Sequence, residues 1–416
     1  MKSARFRLGC LGAVFICVLG LVGVYAAVNV WPQFGAQAAD MLRGVVGNEL
    51  VAQLETVEFR AKDDLLQFKY ALGIERPVAP WQAEAKQVTL PNESPAPMLT
   101  PTPALPSVSS PSAVAAVAVP NPATTPWRPS PVISTLGTLK GEGVWTPYIN
   151  DLSGEPIAYR TFLQPDKDRP YSVVAIVAFD LKRTQLHYVL GTEEPSVPKG
   201  PRGAGKIANE YRAPGVLAAA FNGGFKATHG HFGAMAEGVV ALPPRNGLAA
   251  VALYNDGTVR IGEWDRDIIT QTANMVAWRQ NGPLIIRDGQ VTPRVFTNLV
   301  ADWGGTLDGS VVTWRSAMGL SADNNTLYYF AGSNLSMPAL AKAMMAVGTY
   351  QGMLLDINPY WVHFTAIRAD GGKLVADPLF PVEMKQNVDR FLTNGYSRDF
   401  FYVTTRTPKT KVAQAN

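Results

Sequence analysis

Hydrophobic and polar positions fall into four textures along the 416-residue chain. From Leu8 to Trp31 the residues carry no charge, behind a flank with Lys2, Arg5 and Arg7. As a helix, such a run spans the ~30 Å hydrocarbon core of a bilayer. The basic flank predicts that residues 1–7 stay in the cytoplasm, residues 8–31 form a transmembrane signal anchor, and the rest of the chain is extracytoplasmic at the cell membrane. The competing reading is a cleaved signal peptide ending near Ala36-Gln37-Ala38, although the apolar run is longer than a usual signal core. In residues 36–72, Met41, Val45, Leu50, Leu54, Val57, Leu65 and Phe68 recur at roughly helical spacing among charges. They predict a membrane-proximal helix closing at Gly73: a solvated helix, a stalk or a dimerising coil. Residues 77–135 are rich in Pro, Ala, Ser and Thr, so the pattern predicts a disordered, extended linker without a core.

From residue 140 to 405 short apolar runs alternate with turn residues. Val173, Val174, Ile176, Val177 and Phe179 predict a strand, followed by a second at Leu186–Leu190. Ala249–Tyr254 and Thr258–Ile261 flank Asn255-Asp256-Gly257, a hairpin signal because Asp-Gly suits a type I′ turn. The same device recurs around Arg287-Asp288-Gly289 and around Asp323-Asn324-Asn325. One helix is predicted from Met337 to Val347, with Pro338 near its start and Gly348 stopping it. Met353–Ile357 then reads as a buried strand. Hairpins plus a few helices predict an α+β fold around a mixed sheet.

Charge and cysteine content remove several function classes. The net charge is +4 with no dense basic run beyond the N-terminus, which speaks against nucleic acid as a partner. Both cysteines, Cys10 and Cys17, lie in the first apolar segment, so the C-terminal domain has neither a disulfide nor a thiolate metal site. Gly200 to Ile207 has the spacing of a phosphate-binding loop, but Ile207 stands where Ser or Thr must hold magnesium. No cofactor is expected.

Polar residues at strand ends supply the candidate chemistry. Asn222-Gly223-Gly224 follows the apolar run Val216–Phe221, and two glycines there allow close backbone approach to a ligand. His229 and His231 are two of four histidines, spaced to share one side of an extended segment, as acid–base pairs or metal ligands do. With Asp356 and His363 they could form a zinc-like set; without thiolates or an HExxH pattern the metal stays unknown. Asp356 ends a strand reached through a helix, a favoured place for a site. Asn358, Tyr360, Trp361 and His363 follow it, with aromatic faces suited to sugar. Arg315 suits a bidentate clamp on phosphate.

Taken in order, Leu217–Phe225 (LAAAFNGGF), Asn281–Gly289 (NGPLIIRDG), Arg315–Gly319 (RSAMG) and Leu355-Asp356 resemble the motifs of the phosphodiester glycosidase domain family. The resemblance implies hydrolysis at a sugar; the family's type activity removes N-acetylglucosamine from a phosphodiester. It maps Asn222, Gly223, Gly224, Arg315 and Asp356 onto the family's site motifs. His229 and His231, which are not part of the family signature, join Asp356 as catalytic candidates from their own placement, with Asn358 and His363 beside the substrate. A glycan or sugar-phosphate substrate follows, the oligomeric state being open. One departure is that Ile357-Asn358-Pro359-Tyr360 replaces the family's glycine-rich turn after the aspartate. A non-catalytic, glycan-binding module on the same fold is the alternative that this departure favours.

Overall fold

The computed structural model describes residues 48–82, 126–269, 271–297, 312–384 and 389–406, with the isolated positions 45 and 303. The expected signal anchor at 8–31 and most of the linker at 77–135 lie outside these residues. Among the described residues no helix is long and apolar enough to cross a membrane.

Three antiparallel sheets make up the domain. Eight strands form the first, in the order β1 (Thr146–Asn150), β2 (Pro156–Leu163), β3 (Val174–Asp180), β14 (Thr326–Leu335), β13 (Thr313–Leu320), β15 (Gln351–Leu354), β11 (Leu284–Arg287) and β12 (Gln290–Val291). The second runs β7 (Val239–Leu242), β6 (Ala234–Ala236), β10 (Met275–Gln280), β8 (Ala249–Tyr254), β9 (Val259–Glu263). The third runs β17 (Lys373–Pro378), β16 (Phe364–Asp370), β5 (Leu217–Asn222), β18 (Phe400–Thr405), β4 (Thr184–Val189). The expected mixed sheet is corrected: β13 pairs antiparallel with both β14 and β15, and every other strand pair is antiparallel too. β14 and β15 are nevertheless parallel to each other across β13, joined by helix α2 (Met337–Ala346).

Local signals set the elements where chemistry was local. Ser336 caps α2 by accepting from the Ala339 amide, and Gly348 follows in the left-handed conformation (φ +77°). At Asp288-Gly289 both residues have positive φ, as a type I′ turn requires. At Asp256-Gly257 only Gly257 does, so this hairpin closes differently from the expected type I′ turn.

β3 and β4 are separated by a short turn yet belong to different sheets. They can part because β3 is buried on both faces, whereas β4 buries alternate residues. The main core lies where the sheets face one another: Val177, Phe179, Met318 and Tyr329 from the first, Ala234 and Val251 from the second, Phe221, Phe364 and Phe401 from the third. Phe221 stacks on Phe364 and Phe401, with centroids 6.0 and 5.5 Å away. α2 covers the other face of the large sheet through Leu340 and Met344, against Ile176 and Phe330.

The domain begins before residue 140. Trp127 packs edge-on against Tyr159, and the Ile133 amide donates to the Ala346 carbonyl. Residues 126–135 thus lie against the domain, although their composition reads as linker. Helix α1 (Asn48–Ala71) also docks: Asp63 pairs with Arg169 and accepts from the Tyr171 hydroxyl, and Tyr70 meets the Tyr171 ring.

Candidate active site

Strand ends from the first and third sheets line one small cleft, and β10 of the second reaches its lining residue Asp399 through Arg279. β5 delivers Asn222, Gly223 and Gly224; the chain leaving β15 delivers Asp356; the residues entering β18 deliver Arg398 and Asp399; Trp361 and Tyr396 complete the wall. Backbone hydrogen bonds lock these ends together. The Gly223 amide donates to the Asp399 carbonyl, the Asp356 amide to the Gly223 carbonyl, and the Leu355 amide to the Ser316 carbonyl. From the second sheet, Asn281 Nδ2 donates to the carbonyls of Leu354 and Leu355.

Two buried acid–base pairs sit on this frame. Asp399 Oδ2 accepts from Arg279 Nε at 2.7 Å, from the Tyr188 hydroxyl and from the Gly224 amide. Arg279 is fully buried and also donates to the carbonyls of Phe232, Gln280 and Phe225. Burial works against the Arg279 charge, but Asp399 outweighs it and raises its pKa. The second pair is Asp356 with Arg398, 2.5 Å apart. Arg398 also donates to the Gly224 carbonyl and lies over the Trp361 ring, 5.0 Å from its centroid. Burial pushes the Asp356 carboxyl above its ordinary range, while Arg398 and the Asn358 and Ile357 amides pull against that rise.

The glycines have a steric reason to be there. A Cβ on Gly223 would collide with Asp399 Oδ2, and one on Gly224 would sit 3.0 Å from the Arg279 guanidinium carbon. Asp399 is pinned by its three donors and cannot retreat. Gly223→Ala should therefore cost about 1–3 kcal/mol, as overpacking does, and Gly224→Ala less. Thermal melts of the two variants check the order, which a Gly223→Ala melt equal to wild type would refute.

The structure brings together only part of the expected site. Asn222, Gly223, Gly224 and Asp356 line the cleft. Asn222 is a strut: its Nδ2 donates to Ser316 Oγ and the Gly223 carbonyl, and its Oδ1 accepts from Tyr329 and the His363 amide. His363 thus meets Asn222 through its backbone, and its ring is buried against Phe391. Burial, with Arg390 nearby, holds its pKa well below the ordinary value. Asn358 turns inward, its amide donating to Asp356 Oδ1 and its own Oδ1 accepting from the Tyr360 amide.

Three expectations are corrected. His229 and His231 are exposed and sit in a 3-10 turn (Ala227–His229) and just after it, not in an extended segment, and neither lines the cleft. Arg315 lies on the opposite face of β13 from Ser316, because neighbouring strand residues alternate. It is fully buried, donates to the Leu335 carbonyl, and is lowered by desolvation to about 10. The zinc-like set does not form; among the described residues no group of three or more His, Cys, Asp or Glu could hold a metal.

The residues that sequence reasoning missed are Arg279, Tyr396, Arg398 and Asp399, whereas Trp361, expected beside the sugar, does line the cleft. A usable signal was Arg398-Asp399 placed directly before the apolar run Phe400–Val403. Charges at the mouth of a buried strand need partners.

A cleft of paired carboxylates and arginines with aromatic walls, at the joined ends of three antiparallel sheets, defines a β protein with a polar site suited to acid–base work. Residues 216–356 match the phosphodiester glycosidase family model. The match begins one residue before β5 and ends on Asp356. Among solved structures, the chain is similar to the zebrafish N-acetylglucosamine-1-phosphodiester alpha-N-acetylglucosaminidase catalytic domain auto-inhibited by its pro-peptide. Identity is 14% over 68% of this chain and 95% of that one, with a TM-score of 0.37. A hypothetical protein from Synechocystis shares 12% identity over 63% of this chain and 62% of that one, with a TM-score of 0.31. A putative exported protein from Burkholderia pseudomallei shares 12% over 56% and 74%, with a TM-score of 0.29. No curated protein sequence matches the chain.

Proposed function

We propose that this protein is a hydrolase of glycosidic bonds, acting outside the cytoplasm on a sugar phosphodiester or an envelope glycan, and held at the membrane by residues 8–31. The observation that carries this reading is the meeting of Asp356 and Asp399 in one aromatic-walled cleft, at the end of the segment that matches the family model. Glycoside cleavage needs a group that protonates the leaving oxygen and a carboxylate facing the positive charge that develops at the anomeric carbon. Asp356, raised by burial, is suited to hold and deliver the proton. Asp399 keeps its charge partner Arg279 on Oδ2, while its buried Oδ1 has no hydrogen-bond partner in the protein. In this reading that oxygen serves as the carboxylate for the developing charge. Arg398, over the Trp361 ring, supplies the positive charge for a phosphate or other anionic leaving group. Trp361 and Tyr396 offer faces for the sugar ring.

One observation favours the alternative of a non-catalytic glycan-binding module. The amides of Ile357 and Asn358 fold back onto Asp356 Oδ1 instead of pointing at a ligand. The deciding test incubates the purified chain with a panel of sugar phosphodiesters, N-acetylglucosamine 1-phosphodiesters included, and envelope polymers. Release of free sugar at a rate proportional to protein is expected from at least one. Saturable binding to a glycan without any product would establish the module instead.

A further inference from the structure

Helix α1 docks on the domain through one side and, among the described residues, carries an exposed apolar stripe on the other. Viewed down the axis at about 100° per residue, buried Thr56 and Asp63 and half-buried Tyr70 share one side, where Asp63 and Tyr70 meet the domain. Leu50, Val57, Ala61, Leu65, Phe68 and Leu72 point the other way, within an arc of about 80°, and all are exposed. The exposure is large: Val57 66%, Leu65 53%, Phe68 61% and Leu72 58%. A continuous stripe of large apolar side chains on the outside of a docked helix marks an interaction surface.

We propose that this stripe pairs with the same stripe on a second copy of the chain, as a parallel two-stranded coiled coil that joins two domains. Three observations select that occupant. The stripe residues from 57 onward are spaced 4, 4, 3 and 4 apart, the three-and-four alternation of a coiled-coil seam with one extra step. The flanking charges are complementary in that arrangement. Asp64 precedes the seam residue Leu65 and Lys69 follows the seam residue Phe68, so Asp64 of one helix faces Lys69 of a second copy five positions on. Lys69 also meets Glu75 of its own chain at 3.1 Å, placing its ammonium beside the seam's end. Finally, the polar remainder is wrong for a lipid surface. Helix α1 carries Glu49, Glu55, Glu58, Asp63 and Asp64 against Arg60, Lys62 and Lys69. Interfacial helices instead place Lys and Arg on the polar face.

The test uses the full chain, purified in detergent, with Cys10 and Cys17 replaced by Ser. Light scattering on a sizing column should give the mass of two chains for this protein. It should give one chain for the triple variant Val57→Lys, Leu65→Lys, Phe68→Lys, whose melting should be little changed because each of these side chains is more than half exposed. In the same background Phe68→Cys should cross-link to itself on mild oxidation, and Lys62→Cys, on the flank of the helix, should not. A one-chain mass for the parent, a two-chain mass retained by the lysine variant, or equal cross-linking at 62 and 68 would each overturn the proposal. Binding of a one-chain parent to vesicles of phosphatidylcholine and phosphatidylglycerol, lost in the lysine variant, would reassign the stripe to lipid.

Discussion

Replacing Arg279 with Met should destabilise the domain by about 3–5 kcal/mol, because the Asp399 charge is then left buried without its partner. Both side chains of this pair are essentially inaccessible, so solvent screening gives no relief. The loss extends beyond the ion pair: the carbonyls of Phe232, Gln280 and Phe225 lose their donor as well. At this size a loss of that order lowers Tm by roughly 6–20 °C. Arg279→Lys keeps the charge, but its single ammonium cannot span four acceptors, so it should rescue only part. Asp399→Asn combined with Arg279→Met should melt higher than the sum of the single losses predicts, since no orphaned charge remains. Denaturant melts of the three variants measure this directly. A single-variant loss below about 1 kcal/mol, the scale of an exposed ion pair, would mean that water reaches the pair and that the cleft is more open than described.

The contrast between this pair and α2 explains how much of the protein was legible beforehand. α2 and the hairpin of β8 and β9 are written by residues within a few positions of each other: Ser336, Pro338 and Gly348 in one case, Gly257 between two short buried runs in the other. Their physics is local. The partition of β3 and β4 into different sheets is decided by which buried faces meet in the finished core, and no spacing in the chain records that. The site divides in the same way. Asn222-Gly223-Gly224 and Asp356 stood out because glycines at a strand end and a carboxylate after a buried strand are locally anomalous. Arg279 and Asp399 are 120 residues apart, and neither is unusual until the fold joins them. Arg315 misled for a related reason. A buried arginine in a strand signals a need for partners, but strand alternation decides which face it occupies, and here that face belongs to α2. The two histidines misled because spacing-two reasoning presumes an extended backbone, and Gly230 with His231 breaks it.

Turnover on whichever sugar substrate the panel identifies should fall about 10²–10⁴-fold in Asp356→Asn, the usual contribution of a positioned proton donor. Asparagine keeps an oxygen for the amides of Ile357 and Asn358, so the turn should hold its shape, but it has no proton to give. The pH profile carries a second signature. Burial raises the Asp356 carboxyl, and a group that must be protonated to act loses activity as pH rises through its pKa. Wild-type kcat/KM should therefore show a falling alkaline limb displaced upward from an ordinary aspartate, and Asp356→Asn should lack that limb. Asp399→Asn should also lose turnover and should melt lower than Asp356→Asn, because it unbalances Arg279, whose side chain is 0% exposed, whereas Arg398 keeps 6%. The two carboxylates are thus separable by measuring rate and melting on the same samples. If Asp356→Asn retained turnover within about threefold of wild type, well inside the expected loss, proton delivery would have to come from another group. Asp399, which also lines the cleft and whose buried Oδ1 has no hydrogen-bond partner, would then be the residue to test for that role.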